Sequence, residues 1–486
     1  MQRNKQRSLG INVALNAIKS GLSILFPLIT YPYAFRVLHI EAIGKVNYAI
    51  SIVNYFQLIA ALGITTYAIR EGARLRDKTN EFKKFCNQIF TINIISTLIS
   101  YGLLCAFVII SDGMNGNKEL LTLLSLTIIF STLGIDWINI IFEDFLFITI
   151  RSIMSYIITL FLLFMLVKNE SDYMAYAFLT VAQVGMIAIS NWIYCRKYIK
   201  IKPTSHMNLQ KHIKPVLTIF ANAVATSIYV NADTTMLGIY AGNHYVGLYA
   251  LAVKVYSVIK TMMAAVYSAA IPRISFYIGQ EDSENVKNII TKMCATLTII
   301  LFPAGIGLAA IAREVVLIMG GNEYLEATFT LQILSVSLIG AILGGAITYC
   351  INIPMGRELV NAKATTISAV LNIGLNLIAI PVLKQNGAAI TTLISEFFVF
   401  IYCFVTNKEI SNYIDLRAWI KSFIHAMLGC ATIIIVSILI KGVVYSTVVR
   451  ILSIVVLSVV FYIIELCLLK NEIATSVFST FSQRGR

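Results

Sequence analysis

Apolar runs close to the length of a bilayer crossing recur along the whole chain, for example Leu120 to Ile135, Ile153 to Val167 and Val448 to Leu469. About twenty such residues span the hydrocarbon layer as an α-helix. Of the 486 residues, 58% are hydrophobic and 13% charged, and the mean hydropathy is +0.80. Soluble domains carry roughly 45–50% apolar residues, so a fold surrounded by water has no means of covering this surface. A transmembrane β-barrel would show segments of about ten residues with alternating polarity, and no such alternation dominates. The spans are therefore helices, whose backbone groups are satisfied within each segment, and the expected fold is an all-α polytopic membrane protein.

Breaks at glycine, proline and charge place fourteen spans, near 9–29, 46–67, 86–111, 119–138, 152–168, 173–195, 215–236, 247–270, 288–311, 328–352, 362–383, 387–405, 419–441 and 448–469. Asp136, Glu143, Asp144 and Arg151 interrupt the fourth and fifth. With the N-terminus in the cytoplasm, 26 of the 38 Lys and Arg residues fall in inner connections and eight in outer ones. That bias follows the positive-inside rule and puts both termini in the cytoplasm. The net charge of +14 is thus topology, and no nucleic acid is expected as a partner. Trp137, Trp192 and Trp419 fall at predicted inner helix ends, where indole prefers to sit. The basic start (Arg3, Lys5, Arg7) leads into an apolar stretch that contains Pro27 and lacks a small-x-small cleavage site. It reads as a first span rather than a signal peptide. The eight cysteines lie mostly in apolar runs without a CxxC motif, as buried hydrophobes rather than disulfides or metal ligands. No nucleophile, metal or nucleotide motif stands out, and no cofactor is expected.

Sliding the chain on itself by 203 residues aligns Gly44 with Gly247, Ala49 with Ala252, Arg70 with Arg273, Glu81 with Glu284 and Lys84 with Lys287. The second copy starts after an even number of crossings, so both copies enter the membrane the same way and imply a pseudo-two-fold axis along its normal. Each copy carries polar stripes. Span one has Asn12, Asn16, Lys19 and Ser23 on one helical face, and span seven has Asn222, Thr226, Tyr229 and Asp233. Ser51, Asn54 and Gln57 in span two correspond to Lys254, Ser257 and Lys260 in span eight. Such side chains either bond helices together or line a hydrated cavity. A lysine in mid-span costs about 2.5–3.5 kcal/mol even on insertion scales, which favours the cavity for Lys19, Lys254 and Lys260. A cationic interior implies an anionic cargo, and a lipid-borne phosphate or pyrophosphate suits lysine as a point charge.

The stretch Pro27-Leu-Ile-Thr-Tyr-Pro-Tyr-Ala-Phe-Arg-Val-Leu38, with Ile43-Gly44, Tyr48-Ala49 and Ala60-Ala-Leu-Gly-Ile-Thr-Thr-Tyr-Ala-Ile-Arg-Glu-Gly-Ala-Arg74, resembles the N-terminal signature of Wzx-type polysaccharide flippases of the multidrug/oligosaccharidyl-lipid/polysaccharide exporter superfamily. Asp233-Thr-Thr-Met-Leu-Gly238, Gly247-Leu-Tyr-Ala250, Ala269-Ala-Ile-Pro-Arg273 and Asn386-Gly-Ala-Ala-Ile-Thr-Thr-Leu-Ile-Ser-Glu396 look like its second-half blocks. The resemblance implies two six-helix lobes, here 1–200 and 201–408, and trailing helices 13 and 14 with a cytoplasmic tail over 409–486. It also implies a bacterial inner-membrane transporter. Such a protein moves an undecaprenyl-diphosphate-linked oligosaccharide between leaflets for O-antigen, capsule or exopolysaccharide assembly, by rocking of the lobes. On that reading Lys19, Lys254 and Lys260 hold the diphosphate, and Arg36 stands near the outer mouth and Arg70 and Arg273 near the inner one. Asn12, Asn16, Asn54, Gln57 and Ser257 face the sugar and cavity. Asp233 and Glu396, the main acids within spans, either couple to H+ or Na+ or neutralise a lysine. Pro27 and Pro303 are candidates for bending spans one and nine. Membrane lipids and other polysaccharide-assembly proteins are the expected partners.

Three rivals make different demands on the sequence. A drug/cation antiporter of the same superfamily predicts acids in the lumen, where these spans offer mostly lysines. A glycan polymerase or ligase would carry a long outer loop with Arg or His, whereas the outer connections here are short. A purely structural membrane subunit leaves the polar stripes unexplained.

Overall fold

A computed structural model of the chain describes residues 9–111, 117–205, 208–407, 410–471 and 473, and every regular element within them is helical. Among the described residues, twelve helical spans are long and apolar enough to cross a membrane. Two of them are each broken into two segments. Helix α1 (Leu9–Ala61) has 53 residues, about 80 Å at 1.5 Å per residue, far beyond a layer roughly 30 Å thick. It breaks at His39, whose φ of 59° leaves the helical region. The segments on either side carry the expected first and second spans. Leu62 and Gly63, both with positive φ, end α1 and turn the chain into the short α2 (Ile64–Leu75).

The first compact unit, Met1–Gly247, continues with α3 (Thr79–Ile110), α4 (Lys118–Leu133), α5 (Asp136–Ile141), α6 (Phe145–Leu166), α7 (Tyr173–Tyr194) and α8 (Leu209–Tyr240). The side chains of Asn93 and Ser96 on α3 donate to Ala60 O, and Ser100 donates to Phe56 O, so α3 runs antiparallel to the second segment of α1. The first segment runs parallel to α6, with Phe26 stacked on Tyr156 at 4.7 Å and Tyr33 edge-on to Phe164 at 4.6 Å. The alternation expected of successive crossings is satisfied.

The fifth span differs from expectation. It begins at Phe145 instead of near 152, because Asp144 caps it by accepting from Phe147 N at 3.4 Å. Arg151 consequently lies inside α6, buried, paired with Asp136 at 2.9 Å and donating to Asn191. Burial pushes the Asp144 carboxyl up, but hydrogen bonds from Tyr198, Tyr194 and Lys197 outweigh this and hold it below the usual carboxylate range.

The second unit, Leu248–Arg486, holds most of α9 (Asn243–Ser268). It continues with α10 (Ile271–Gly279), α11 (Ser283–Ala310), α12 (Ala312–Gly320), α13 (Ala327–Ile347), α14 (Glu358–Thr406), α15 (Ile410–Tyr413), α16 (Leu416–Val443) and α17 (Thr447–Leu468). Helix α14 has 49 residues and breaks at Lys384 (φ 54°), three residues after Pro381. Its segments form an antiparallel hairpin in which Ser368 donates to Ser395 O at 3.0 Å and Thr391 to Asn376 Oδ1 at 2.5 Å. Gly387 makes the hairpin possible, since a Cβ there would stand 2.4 Å from Ala379 O. Helix α13 is buried on nearly every face, as its apolar sequence requires. The repeat starts its second lobe at residue 201, whereas the compact units divide after Gly247; the lobes of the repeat remain an inference from sequence.

Candidate functional site

The polar positions singled out in sequence settle into two settings. In the first unit, α8 packs on the second segment of α1 through a polar seam. Asn54 Nδ2 donates to Asn231 Oδ1 at 3.0 Å, Thr235 Oγ1 donates to Ser51 Oγ at 3.0 Å, and Asn231 Nδ2 also donates to Ser227 O at 2.9 Å. Asn54 and Ser51 therefore bond helices together, the plainer of their two readings. Gln57, one turn further along α1, is half-buried and makes no hydrogen bond among the described residues. Lys19 is also half-buried, with no carboxylate partner among the described residues. The side chains of Asn12, Asn16 and Asn222 lie outside the described residues. Asp233 is buried and takes part in a polar interaction.

Arg36 is exposed with a polar partner, and Arg70 is exposed and bonded to the neighbouring Glu71 at 3.1 Å. Arg273, in the second unit, is exposed at the start of α10.

The seam is extended by two glycines. A Cβ on Gly44 would sit 1.9 Å from Asn243 O, and one on Gly247 would sit 2.2 Å from Ile40 O. These contacts are reciprocal under the 203-residue repeat, because 40 maps onto 243 and 44 onto 247.

The second setting is a charge cluster inside the second unit. Lys260 on α9 donates from Nζ to Glu396 Oε1 on α14 at 2.7 Å, and Tyr256, one turn earlier on α9, donates to the same oxygen at 3.0 Å. The Glu396 side chain is 8% exposed and that of Lys260 37%. Gly340 of α13 lets the Glu396 backbone approach, its Cβ position being 3.0 Å from Glu396 C. Lys260 is therefore ion-paired, where the sequence led us to expect a cation facing open space. Of the two expected roles for Glu396, neutralising a lysine is the one seen here. Ser257 is exposed on the same helix, and Lys254 is half-buried with a polar partner. Tyr256 went unremarked in the sequence, although its four-residue spacing from Lys260 was a usable signal. Ser368, Asn372 and Asn376, a buried polar line at the same spacing on α14, were also passed over.

Beside the cluster, α9, α11, α16 and α17 enclose a cavity of about 630 Å³ lined by residues such as Met262, Met263, Pro303, Gly307 and Val459. Ser458 and Tyr462 supply its polar atoms, and the Tyr462 hydroxyl is taken up by Ile299 O at 2.9 Å. Among the described residues no group of three His, Cys, Asp or Glu side chains is placed to hold a metal ion.

A family model described as a polysaccharide biosynthesis protein matches residues 9–278, more than half of the chain. The chain belongs to this family. A second model, MatE, matches residues 218–383. A putative O-antigen transporter of Shigella dysenteriae is 23% identical over 404 residues, covering 80% of this chain and 98% of that protein. A probable low-salt glycan biosynthesis flippase of Haloferax volcanii is 24% identical over 278 residues, 56% of this chain and 55% of its own length, so the chain spans about half of that relative. Among solved structures, the lipid II flippase MurJ in an inward closed conformation superposes with a TM-score of 0.73 at 16% identity, over 93% of this chain and 98% of that one. An inward-facing multidrug resistance MATE family transporter of the MOP superfamily gives 0.56 at 15% identity, over 81% and 97%. The family member described here has the fold of those transporters and is a multi-pass membrane protein.

Proposed function

We propose that this family member flips a polyprenyl-diphosphate-linked oligosaccharide across the bacterial inner membrane for surface polysaccharide assembly, by alternating access of two lobes. One observation carries the reading: Lys260, an amine within a membrane-spanning helix, keeps over a third of its side chain accessible while its carboxylate partner is enclosed. The exposed part of the ammonium leaves room for a mobile anion to approach it without displacing the protein around Glu396. Family membership and the flippase and O-antigen transporter relatives support a lipid-linked glycan as the cargo. Lysine 19, 254 and 260 side chains would hold the diphosphate, with Arg36, Arg70 and Arg273 at the mouths. Gln57 and Ser257, and Asn12, Asn16 and Asn54, would meet sugar hydroxyls, Asn54 after giving up Asn231. The apolar cavity suits an isoprenoid or acyl chain. Both termini are cytoplasmic on this reading, the protein acts as a transporter rather than an enzyme, and Asp233 and Glu396 are its candidates for H+ or Na+ coupling.

Deleting the gene should make lipid-linked repeat units accumulate on the inner leaflet, and a copy with Lys254→Ala and Lys260→Ala should fail to restore export while reaching the membrane. Full export by that double variant would count against the cationic site. A second reading, a drug/cation antiporter, draws on the MatE match over 218–383; it predicts cation-dependent drug resistance on overexpression and indifference to both lysines.

A further inference from the structure

The ion pair in the second unit is built so that only one of its members can meet a ligand. Glu396 is enclosed by α13, which carries no charged residue, and by the first segment of α14, which presents Ser368 and Asn372. From α9 it faces Lys260, Tyr256 and, at longer range, Tyr267. Lys254, six residues before Lys260, lies about 120° away around the helix. Lys260 is thus the only cation bonded to Glu396 among the described residues, and it is the more accessible member of the pair.

An anion approaching Lys260 would compete with Glu396 for one ammonium. Should it win, the carboxylate stays where it is, with hydrogen bonding reduced to the Tyr256 hydroxyl and no countercharge. An enclosed, uncompensated carboxylate is strongly disfavoured and becomes neutral by taking up a proton. On the same hairpin, Ser395 Oγ and Asn372 Nδ2 are buried with no hydrogen-bond partner.

We propose that Lys260 is an exchangeable counter-ion: a cargo phosphate takes its ammonium from Glu396, and Glu396 takes up one proton from water as the phosphate binds. No covalent bond changes. The ion pair opens, an ammonium–phosphate pair forms, and the carboxylate becomes a carboxylic acid; loss of that proton restores the pair and expels the phosphate. By linkage, cargo affinity at this site falls as pH rises and cargo binding favours the protonated acid. The inference rests on the anionic-cargo reading above and adds to it a proton, its address and the residue that drives it there.

The test uses the full chain in lipid nanodiscs with geranyl diphosphate as the probe. Calorimetry in two buffers of different ionisation enthalpy gives affinity and proton uptake from pH 6 to 8. The difference between wild type and Glu396→Gln removes the probe's own titration. We expect wild type to take up more protons than Glu396→Gln and to lose affinity several-fold more across that range. Glu396→Gln, an isosteric change that keeps the Tyr256 bond, should bind at least as tightly as wild type. Lys260→Ala, and the charge-neutral pair Lys260→Met with Glu396→Gln, should bind at least tenfold more weakly. Equal proton uptake and parallel pH profiles for wild type and Glu396→Gln would overturn the exchange while leaving the anionic site standing, provided Lys260→Ala loses binding. Undiminished binding in both Lys260 variants would overturn the anionic site and the exchange with it.

Discussion

The reciprocal glycine contact makes an unusual demand on mutagenesis. Gly44→Ala would put a methyl carbon 1.9 Å from Asn243 O and Gly247→Ala one 2.2 Å from Ile40 O, where ordinary contact begins at 3.4 Å. Both obstacles are main-chain atoms, which cannot swing aside as a side chain would. The helices must part by more than 1 Å, a displacement set by the difference between those distances. Overpacking of this kind costs roughly 1–3 kcal/mol, and the backbone clash places each variant near the upper end, about 3 kcal/mol. Because the two contacts lie one helical turn apart on the same pair of helices, the separation forced by one alanine makes room for the other. The double variant should therefore cost about 3 kcal/mol rather than about 6, a coupling energy comparable to either single effect. Gly374→Ala is the control: no atom lies within 4 Å of its Cβ position, and alanine in a helix gains about 0.5–1 kcal/mol over glycine. Denaturant titration in mixed micelles, followed by tryptophan fluorescence, measures all four proteins. Additive losses in the double variant, or Gly44→Ala as stable as the control, would refute the reciprocal contact.

Other expectations follow from single clusters. The Asp144 carboxyl is held below its ordinary pKa of 3.8, so its stabilisation is present above about pH 4 and is lost as pH falls through the lower folded value. Asp144→Asn should cost about 2 kcal/mol at pH 7 and flatten the acid limb of the stability profile; an unchanged acid limb would contradict this. His212, 1% exposed, contacts the Tyr67 hydroxyl at 2.9 Å and Gln88 Oε1 at 3.0 Å. His212→Phe should destabilise the first unit by about 1–3 kcal/mol, as buried polar partners are lost, and equal protease resistance to wild type would argue otherwise. Glu314, 2% exposed at the side chain, holds Arg450 and Lys441 at 3.4 Å each. Arg450→Ala, which also removes bonds to Val444 O and Tyr445 O, should lower thermal stability more than Lys441→Ala, whose side chain is 35% exposed; the reverse order would show that Glu314 is not the anchor.

Hydropathy made the crossings legible because it is a local property: a run of twenty apolar residues reports its own environment. The gaps drawn at 30–45 and 384–386 from hydropathy with glycine, proline and charge contain the breaks at His39 and Lys384, since a helix cannot run on into the polar interface. Arg151 was misplaced for the same reason. A charge signals a loop unless its partners are known, and Asp136 and Asn191 lie 15 and 40 residues away. Lys260 was visible in mid-span, but its countercharge was not. Glu396 is 136 residues from Lys260, and nothing in local periodicity pairs them. The asparagines of the α1–α8 seam show the converse limit: a polar stripe has the same spacing whether it faces water or another helix, and only the fold decides.

The most direct test is transbilayer movement itself. Purified protein reconstituted in liposomes, with a fluorescent polyprenyl-diphosphate oligosaccharide in both leaflets, is assayed by the fraction of label that a membrane-impermeant reductant can bleach. Wild type should make nearly all the label accessible within the assay, and the Lys254→Ala, Lys260→Ala double variant should leave close to half protected, as in empty liposomes. Rapid, lysine-independent equilibration, or no movement by the wild-type protein, would contradict the transport of an anionic lipid past these lysines.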